Sequence, residues 1–202
     1  QSPFGSHIYF SQYRVLDDGL AASAGLSLAV GIAVANTVNS YLEDPVTLKW
    51  PNDVLHKGKK LAGILVEAEG QAEGQCHLVI GIGINVDMPK YAGDKIDQPW
   101  TDLTQLLDKK LDRNEFVAKL IDSLADVFSQ YKQSQLTELY QQWNLMNAFH
   151  AQQVDIISTN NVKSGKCLGI DESGALLLEI DQGKAVQRIY GGEVSLRKAE
   201  VG

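Results

Sequence analysis

Cysteine is scarce in this 202-residue chain, which has only Cys76 and Cys167. Neither cysteine sits at a metal-ligand spacing, and the four histidines, His7, His56, His77 and His150, are scattered, so a structural metal is not expected. Cys76 adjoins His77, but neighbouring residues of a strand point to opposite faces, which rules out a nucleophile and base pair there. So few cysteines, with no secretory signal, point to a reducing cytoplasm. A basic surplus is missing too. The net charge is −7, whereas broad nucleic-acid binding needs a basic surface that displaces counterions, so DNA binding is not supported. Residues 20–42 carry no charge at all. Ala, Gly, Ser, Asn and Thr dominate that run, which predicts a buried helix packed tightly on a sheet rather than a membrane span. Methionine is limited to Met88 and Met146, and the chain opens at Gln1, so the polypeptide is expected to continue before that residue.

Hydrophobic content of 44% with 21% charge is globular composition. Residues 8–15 read as a strand, and residues 46–50, 53–56, 60–69 and 76–86 read as an antiparallel meander. Residues 113–131 and 136–146 carry apolar side chains at helical spacing, and their aromatics read as packing. Beyond residue 151 the pattern changes to short strands at 154–158, 166–171, 175–180, 185–190 and 194–197, which suggests a small barrel. The expected organisation is therefore α+β, a mixed or antiparallel sheet packed with helices over residues 1–150 and a small β-barrel over residues 151–202.

Chemistry concentrates in Lys49-Trp50-Pro51-Asn52-Asp53 and Lys60-Leu61-Ala62-Gly63-Ile64-Leu65-Val66-Glu67. Pro, Asn and Asp together make turn composition, and Lys57-Gly58-Lys59 supplies a second, basic turn. Such a hairpin brings Asp53 and Lys60 to one end of a sheet, where lysine can neutralise phosphate oxygens and aspartate can hold magnesium. The same residues also fit an ordinary solvated hairpin with a surface ion pair. Gly81-Ile82-Gly83-Ile84-Asn85 lacks the third glycine and the following helix of a dinucleotide fingerprint. Its alternating glycines instead clear one face of a strand for a flat ligand or a close-packed helix. Trp100 ends a polar loop over residues 88–99 and reads either as a core plug or as a stacking lid.

Those motifs, with Gly191-Gly192-Glu193-Val194-Ser195-Leu196-Arg197, resemble the bacterial biotin protein ligases in residue identity and in order, from Ser2-Pro3-Phe4-Gly5 to the C-terminus. The resemblance implies a biotin/lipoyl ligase-like core with an SH3-like C-terminal barrel. It also implies a two-step reaction in which biotin and Mg·ATP give biotinyl-5′-adenylate, and a lysine of the biotin carboxyl carrier protein of acetyl-CoA carboxylase then takes the biotinyl group. Lys60 matches the lysine near the biotin carboxylate and phosphate. Asp53 matches a carboxylate beside the adenylate that binds Mg²⁺ or orients the incoming nucleophile. Lys49 and Asn52 would support that turn on the nucleotide side, while Gly63, Leu65, Gly81 and Ile82 match the wall around biotin. Asn85 matches a nucleotide contact, Trp100 an aromatic over adenine, and Glu193 and Arg197 would reach back from the barrel toward the nucleotide. Strand edges of the central sheet could pair two subunits. In the family a Gly- and Arg-rich loop and a Ser-Thr-Asn segment precede the Ser-Pro-Phe-Gly motif, and this sequence begins at that motif. Two other readings therefore stand beside the ligase: a partial fragment serving only as a binding or dimerisation module, and a lipoate or octanoate transferase relative with a similar core.

Overall fold

Burial alternates along Ile8–Leu16 (β1) and Cys76–Ile84 (β5), so each strand gives one face to a core and leaves the other open. Between them in sequence come Thr47–Lys49 (β2), Asp53–His56 (β3) and Lys59–Gly70 (β4). The computed structural model describes residues 5–132, 136–158, 161–192 and 194–199. Its first sheet is wholly antiparallel, in the order β1-β5-β4-β3-β2. Lys57 and Gly58, with φ of 48° and 77°, close the β3–β4 hairpin. Positive φ at both positions matches the twist of the flanking strands.

The uncharged run at residues 20–42 does not make one helix. A 3₁₀ turn at Leu20–Ser23 precedes helix α1, Leu26–Asn39, and Gly25 between them takes the left-handed conformation that breaks the helical path. Nearly all of α1 is buried, and Gly31 brings its backbone to within van der Waals reach of Leu48 and Ile64. Small residues thus let the helix lie close to the inner sheet face. Arg113–Lys132 (α3) and Leu136–Leu145 (α4) pack against α1, with Phe116, Leu120, Leu124, Leu139 and Trp143 filling the layer between. A short helix, Lys90–Gly93 (α2), interrupts the expected polar loop. Among the described residues no helix is long and apolar enough to cross a membrane.

The second sheet is also antiparallel, in the order β10-β6-β7-β8-β9, from Gln153–Ser158 (β6), Asn161–Ile170 (β7), Leu176–Ile180 (β8), Ala185–Ile189 (β9) and Val194–Lys198 (β10). No β9–β10 pairing occurs among the described residues, so the SH3-like barrel is open along that edge. β7 starts five residues before the expected position. Its early polar residues pair with β6 and stay largely exposed, so no apolar alternation marked them.

His7, at the entry to β1, is buried, and its Nδ1 accepts the Val86 N–H at 3.1 Å. Burial pushes its pKa below the ordinary value, with Arg113 adding to the depression and Asp102 and Asp87 opposing it. His56 is depressed by burial in the same direction. A folded-state pKa below the unfolded value means that the unfolded chain binds more protons as pH falls below about 6.5. Stability is therefore expected to be full above that pH and to decline on acidification. Urea unfolding between pH 5 and 8 should show this slope, and His7→Gln should flatten it. An unchanged slope in the variant would remove His7 from the account.

Candidate functional site

One row of directly opposed residues crosses the outer face of the first sheet. Lys49 faces Asp53, Asp53 faces Gly63, Gly63 faces Gly83, and Gly83 faces Tyr9. Two positions along, Leu65, Gly81 and Ser11 form a second row. Cross-strand partners share a face, so three glycines lie together between larger neighbours. The result is a basin of about 370 Å³ with a floor of bare backbone. A β-carbon at Gly81 or Gly83 would meet nothing closer than 3.7 Å, so the empty space above them belongs to the basin.

Strict alternation would place Lys60 on the same face as Ala62 and Ile64, against the core. A bulge prevents this, because Leu55 pairs with Lys60 while Val54 pairs with Ala62. The extra residue turns the strand by one position and re-aims the lysine into the basin. Lys60 Nζ then lies 2.5 Å from Asp53 Oδ1, and Lys49 Nζ lies 3.2 Å from Asp53 Oδ2. Asp53 is 8% exposed, so its carboxylate is largely shielded from water while holding two ammonium groups. A β-carbon on Gly63 would stand 3.3 Å from the Lys60 ammonium, and glycine leaves that group its room.

The surrounding backbone is fixed from several directions. Asn52 donates through Nδ2 to the Ile64 carbonyl at 2.8 Å and accepts at its own carbonyl from the Ile64 N–H at 2.9 Å, pinning the turn to β4. Lys60 N–H donates to Pro99 O, and its carbonyl accepts from Thr101 N–H, so the chain around Trp100 runs alongside the start of β4. Asn85 spends its amide donors on the Lys60 and Thr101 carbonyls, at 3.3 Å and 3.0 Å. Trp100 donates from Nε1 to Gly93 O and lies against that glycine of α2.

The structure thus brings Lys60, Gly63, Leu65, Gly81, Ile82, Asn52 and Asp53 to one basin, with Lys49 at its edge through Asp53. Ile82 contributes backbone only, since its side chain is buried in the core. Asn85 and Trp100 border the Lys60 backbone and do not line the basin. Arg197 lies exposed on β10 opposite Asp155, and Glu193 lies outside the described residues, as do Ser2, Pro3 and Phe4. Sequence reasoning missed Tyr9, Ser11 and Gly83, which also line the basin. Alternation along β1 marked Tyr9 and Ser11 as outward, but only the β1–β5 register sets them beside the glycines.

Two ammonium groups and one carboxylate leave a net positive local charge, suited to an anionic group at the end of a compact ligand. The donor set does not fit a resident divalent cation. Both Asp53 oxygens face lysines, and among the described residues no group of three or more His, Cys, Asp or Glu side chains could hold a metal.

Comparison with known proteins gives consistent matches. The biotin/lipoate A/B protein ligase family model matches residues 10–85, and the biotin protein ligase C terminal domain model matches residues 151–197. The chain is 41% identical over 199 residues to the bifunctional ligase/repressor BirA of Salmonella typhimurium, covering 98% of this chain and 61% of that protein. It is 33% identical over 188 residues to the biotin–[acetyl-CoA-carboxylase] ligase of Paracoccus denitrificans, covering 86% of this chain and 76% of the relative. Among solved structures, the biotin protein ligase from Aquifex aeolicus in complex with biotin and ATP superposes with a TM-score of 0.79 at 27% identity, over 96% of this chain and 79% of that one. The chain spans about three fifths of the length of the BirA proteins it matches.

Proposed function

The chain belongs to the biotin protein ligase family, and we propose from that premise that its basin is the adenylate-forming site of such a ligase. The observation that carries this reading is the Lys49–Asp53–Lys60 charge set at the edge of the glycine floor. Biotin lies over Gly63, Gly81 and Gly83 with its carboxylate toward Lys60. A carboxylate oxygen attacks the α-phosphorus of ATP, pyrophosphate leaves, and the Lys60 ammonium meets the negative charge that builds on the reacting oxygens. Magnesium enters with the triphosphate as part of the substrate.

In the second step the amine of a carrier lysine attacks the biotinyl carbonyl and AMP leaves. Asp53 orients both ammonium groups and through them the incoming amine, whose proton passes to solvent. The partner in this reading is the biotin carboxyl carrier protein of acetyl-CoA carboxylase, and the compartment is the cytoplasm, in keeping with two free cysteines. Residues 1–150 serve as the catalytic core and residues 151–202 as the appended barrel. β1 is an outer strand of the central sheet, the edge through which two copies would pair. The match of the C-terminal domain model favours biotin over lipoate as the acyl substrate.

Calorimetric titration of a non-hydrolysable biotinyl-adenylate analogue, in competition with its lipoyl counterpart, tests the assignment. Binding that prefers the biotinyl compound and weakens in Lys60→Ala is expected. A lack of binding, or a lipoyl preference, would overturn it. Trp100 offers a narrower test, because its segment is tied to the Lys60 backbone and the side chain can stack on adenine. Trp100→Ala should weaken ATP binding by about 1–3 kcal/mol, the scale of one base on one aromatic ring. Unchanged ATP affinity would leave Trp100 as a packing residue against α2.

A further inference from the structure

The turn that carries Asp53 is fastened to the second sheet. Trp50, one residue beyond Lys49, is 2% exposed, and its indole Nε1–H donates to the carbonyl of Gly174 at 3.2 Å. Gly174 lies in the turn between β7 and β8. Its φ is 77°, and a β-carbon there would stand 3.0 Å from Leu28 Cδ1 and 3.2 Å from Gly25 Cα at the start of α1. Glycine at this position therefore permits both the turn and its close seat against the first domain.

The donor's side and the acceptor's side are each held in place. Asp171 accepts from the Ser173 and Ala175 N–H groups at 2.8 Å and 3.1 Å and from Arg188 Nε at 2.7 Å, which makes the β7–β8 turn a stiff platform. Asn144 of α4 donates to and accepts from the Ile170 backbone, at 3.1 Å and 2.8 Å, so the same hairpin is also tied to the helical layer. On the catalytic side, Ser27 Oγ donates to Pro51 O at 3.3 Å, and Asn52 is pinned to Ile64. Leu48 exchanges backbone bonds with Met146 and Ala148 at 2.7 Å and 2.8 Å, on the connection that leads into β6. A cleft of about 270 Å³ flanks Trp50 and Pro51 beside Ser173 and Tyr190.

We propose that Trp50 is a positioning residue through which the Gly174 carbonyl of the second sheet sets the placement of Lys49 and Asp53, and through Asp53 that of Lys60. The proposal rests on the reading that this charge set performs adenylate formation. It gives the C-terminal domain a mechanical part in the first step. Trp50 does not touch the reacting atoms. It transmits position along three residues of chain.

Trp50→Phe keeps most of the ring and removes the one donor, and Gly174→Ala displaces the acceptor from the opposite domain. Hydrogen exchange followed by mass spectrometry reads the coupling without reference to activity. Amides at 52–56 and at Ile64 should exchange roughly fivefold faster in Trp50→Phe, the effect of one neutral hydrogen bond, while those of α3 stay as in the wild type. Gly174→Ala, if it folds, should accelerate the same amides. In steady-state adenylate formation, Trp50→Phe should lower kcat by a similar roughly fivefold factor with the KM for biotin unchanged. Acceleration spread over the whole chain, no change at 52–56, or a matched loss in kcat and thermal stability with a raised KM would overturn the proposal. Wild-type protein that forms no adenylate while the exchange coupling persists would refute the functional reading and leave the positioning standing.

Discussion

Lys60→Ala is expected to slow biotinyl-adenylate formation by about 10²–10³-fold, equivalent to about 3–4 kcal/mol of lost transition-state stabilisation. The magnitude follows from where the ammonium sits. Lys60 Nζ is held at Asp53 on the rim of the basin, in a partly shielded position that costs little reorganisation when charge develops on the attacking and leaving oxygens. Alanine removes that charge and leaves Asp53 with Lys49 alone. The fold should hold, because the Lys60 side chain is 31% exposed and the shielded Asp53 carboxylate keeps Lys49 as its partner. Rapid-quench measurement of the first turnover, beside thermal melts of both proteins, separates these two effects. A variant that melts like the wild type and makes adenylate at the wild-type rate would end the assignment of Lys60 as the charge-stabilising group. A variant that fails by unfolding would instead show that the bulge at Leu55 and Lys60 is structural first. Lys60→Met keeps the aliphatic stem and would then decide between the two.

The bulge also shows what a sequence can and cannot disclose. Lys49, Asp53 and Lys60 stood out by residue type and by their flanking turns, and the hairpin that joins them was legible from Pro51-Asn52-Asp53 and Lys57-Gly58-Lys59. The face on which Lys60 emerges was not legible. Strand periodicity alone points it at the core, and only the β3–β4 pairing reveals the shifted register. Tyr9 and Ser11 were hidden for a related reason. Their place beside Gly83 and Gly81 depends on β1 pairing with β5 across more than 60 intervening residues, and no local pattern encodes that choice of partner. The long uncharged run misled in another way. Its composition announced a buried helix, but Gly25 could be read either as a small residue within the helix or as the left-handed break before it. Contact with Tyr140 and the Gly174 turn, both distant in sequence, accompanies the second state. The Trp50 tie to Gly174 spans 124 positions and rests on a backbone carbonyl, a group that every residue carries and no motif can mark.

Gly83→Val should abolish most ligand binding while leaving the protein folded, with the affinity for biotin falling about 100-fold, or about 3 kcal/mol, the upper range for forcing added carbons into an occupied site. Gly83 sits at the centre of the first row, between Gly63 and Tyr9, and a β-carbon added there would have the Gly63 carbonyl oxygen as its nearest neighbour, at 4.0 Å. Valine therefore meets no backbone obstacle, and a β-branched residue suits an extended strand, so stability should hold or rise slightly. Its two methyl groups would instead project above the floor, into the space that the ligand needs. Gly165 on β7 provides the contrast. A β-carbon there would come within 2.7 Å of Leu178 Cγ, so Gly165→Val should lower the melting temperature without any direct effect on the basin. Calorimetry with biotin and thermal melts on the two variants give opposite patterns under this account. Biotin affinity preserved in Gly83→Val would mean that the glycines serve close packing of the sheet and that the ligand lies elsewhere. Loss of affinity with an intact fold would place the ligand on the glycine floor, with Lys49 and Lys60 at its edge.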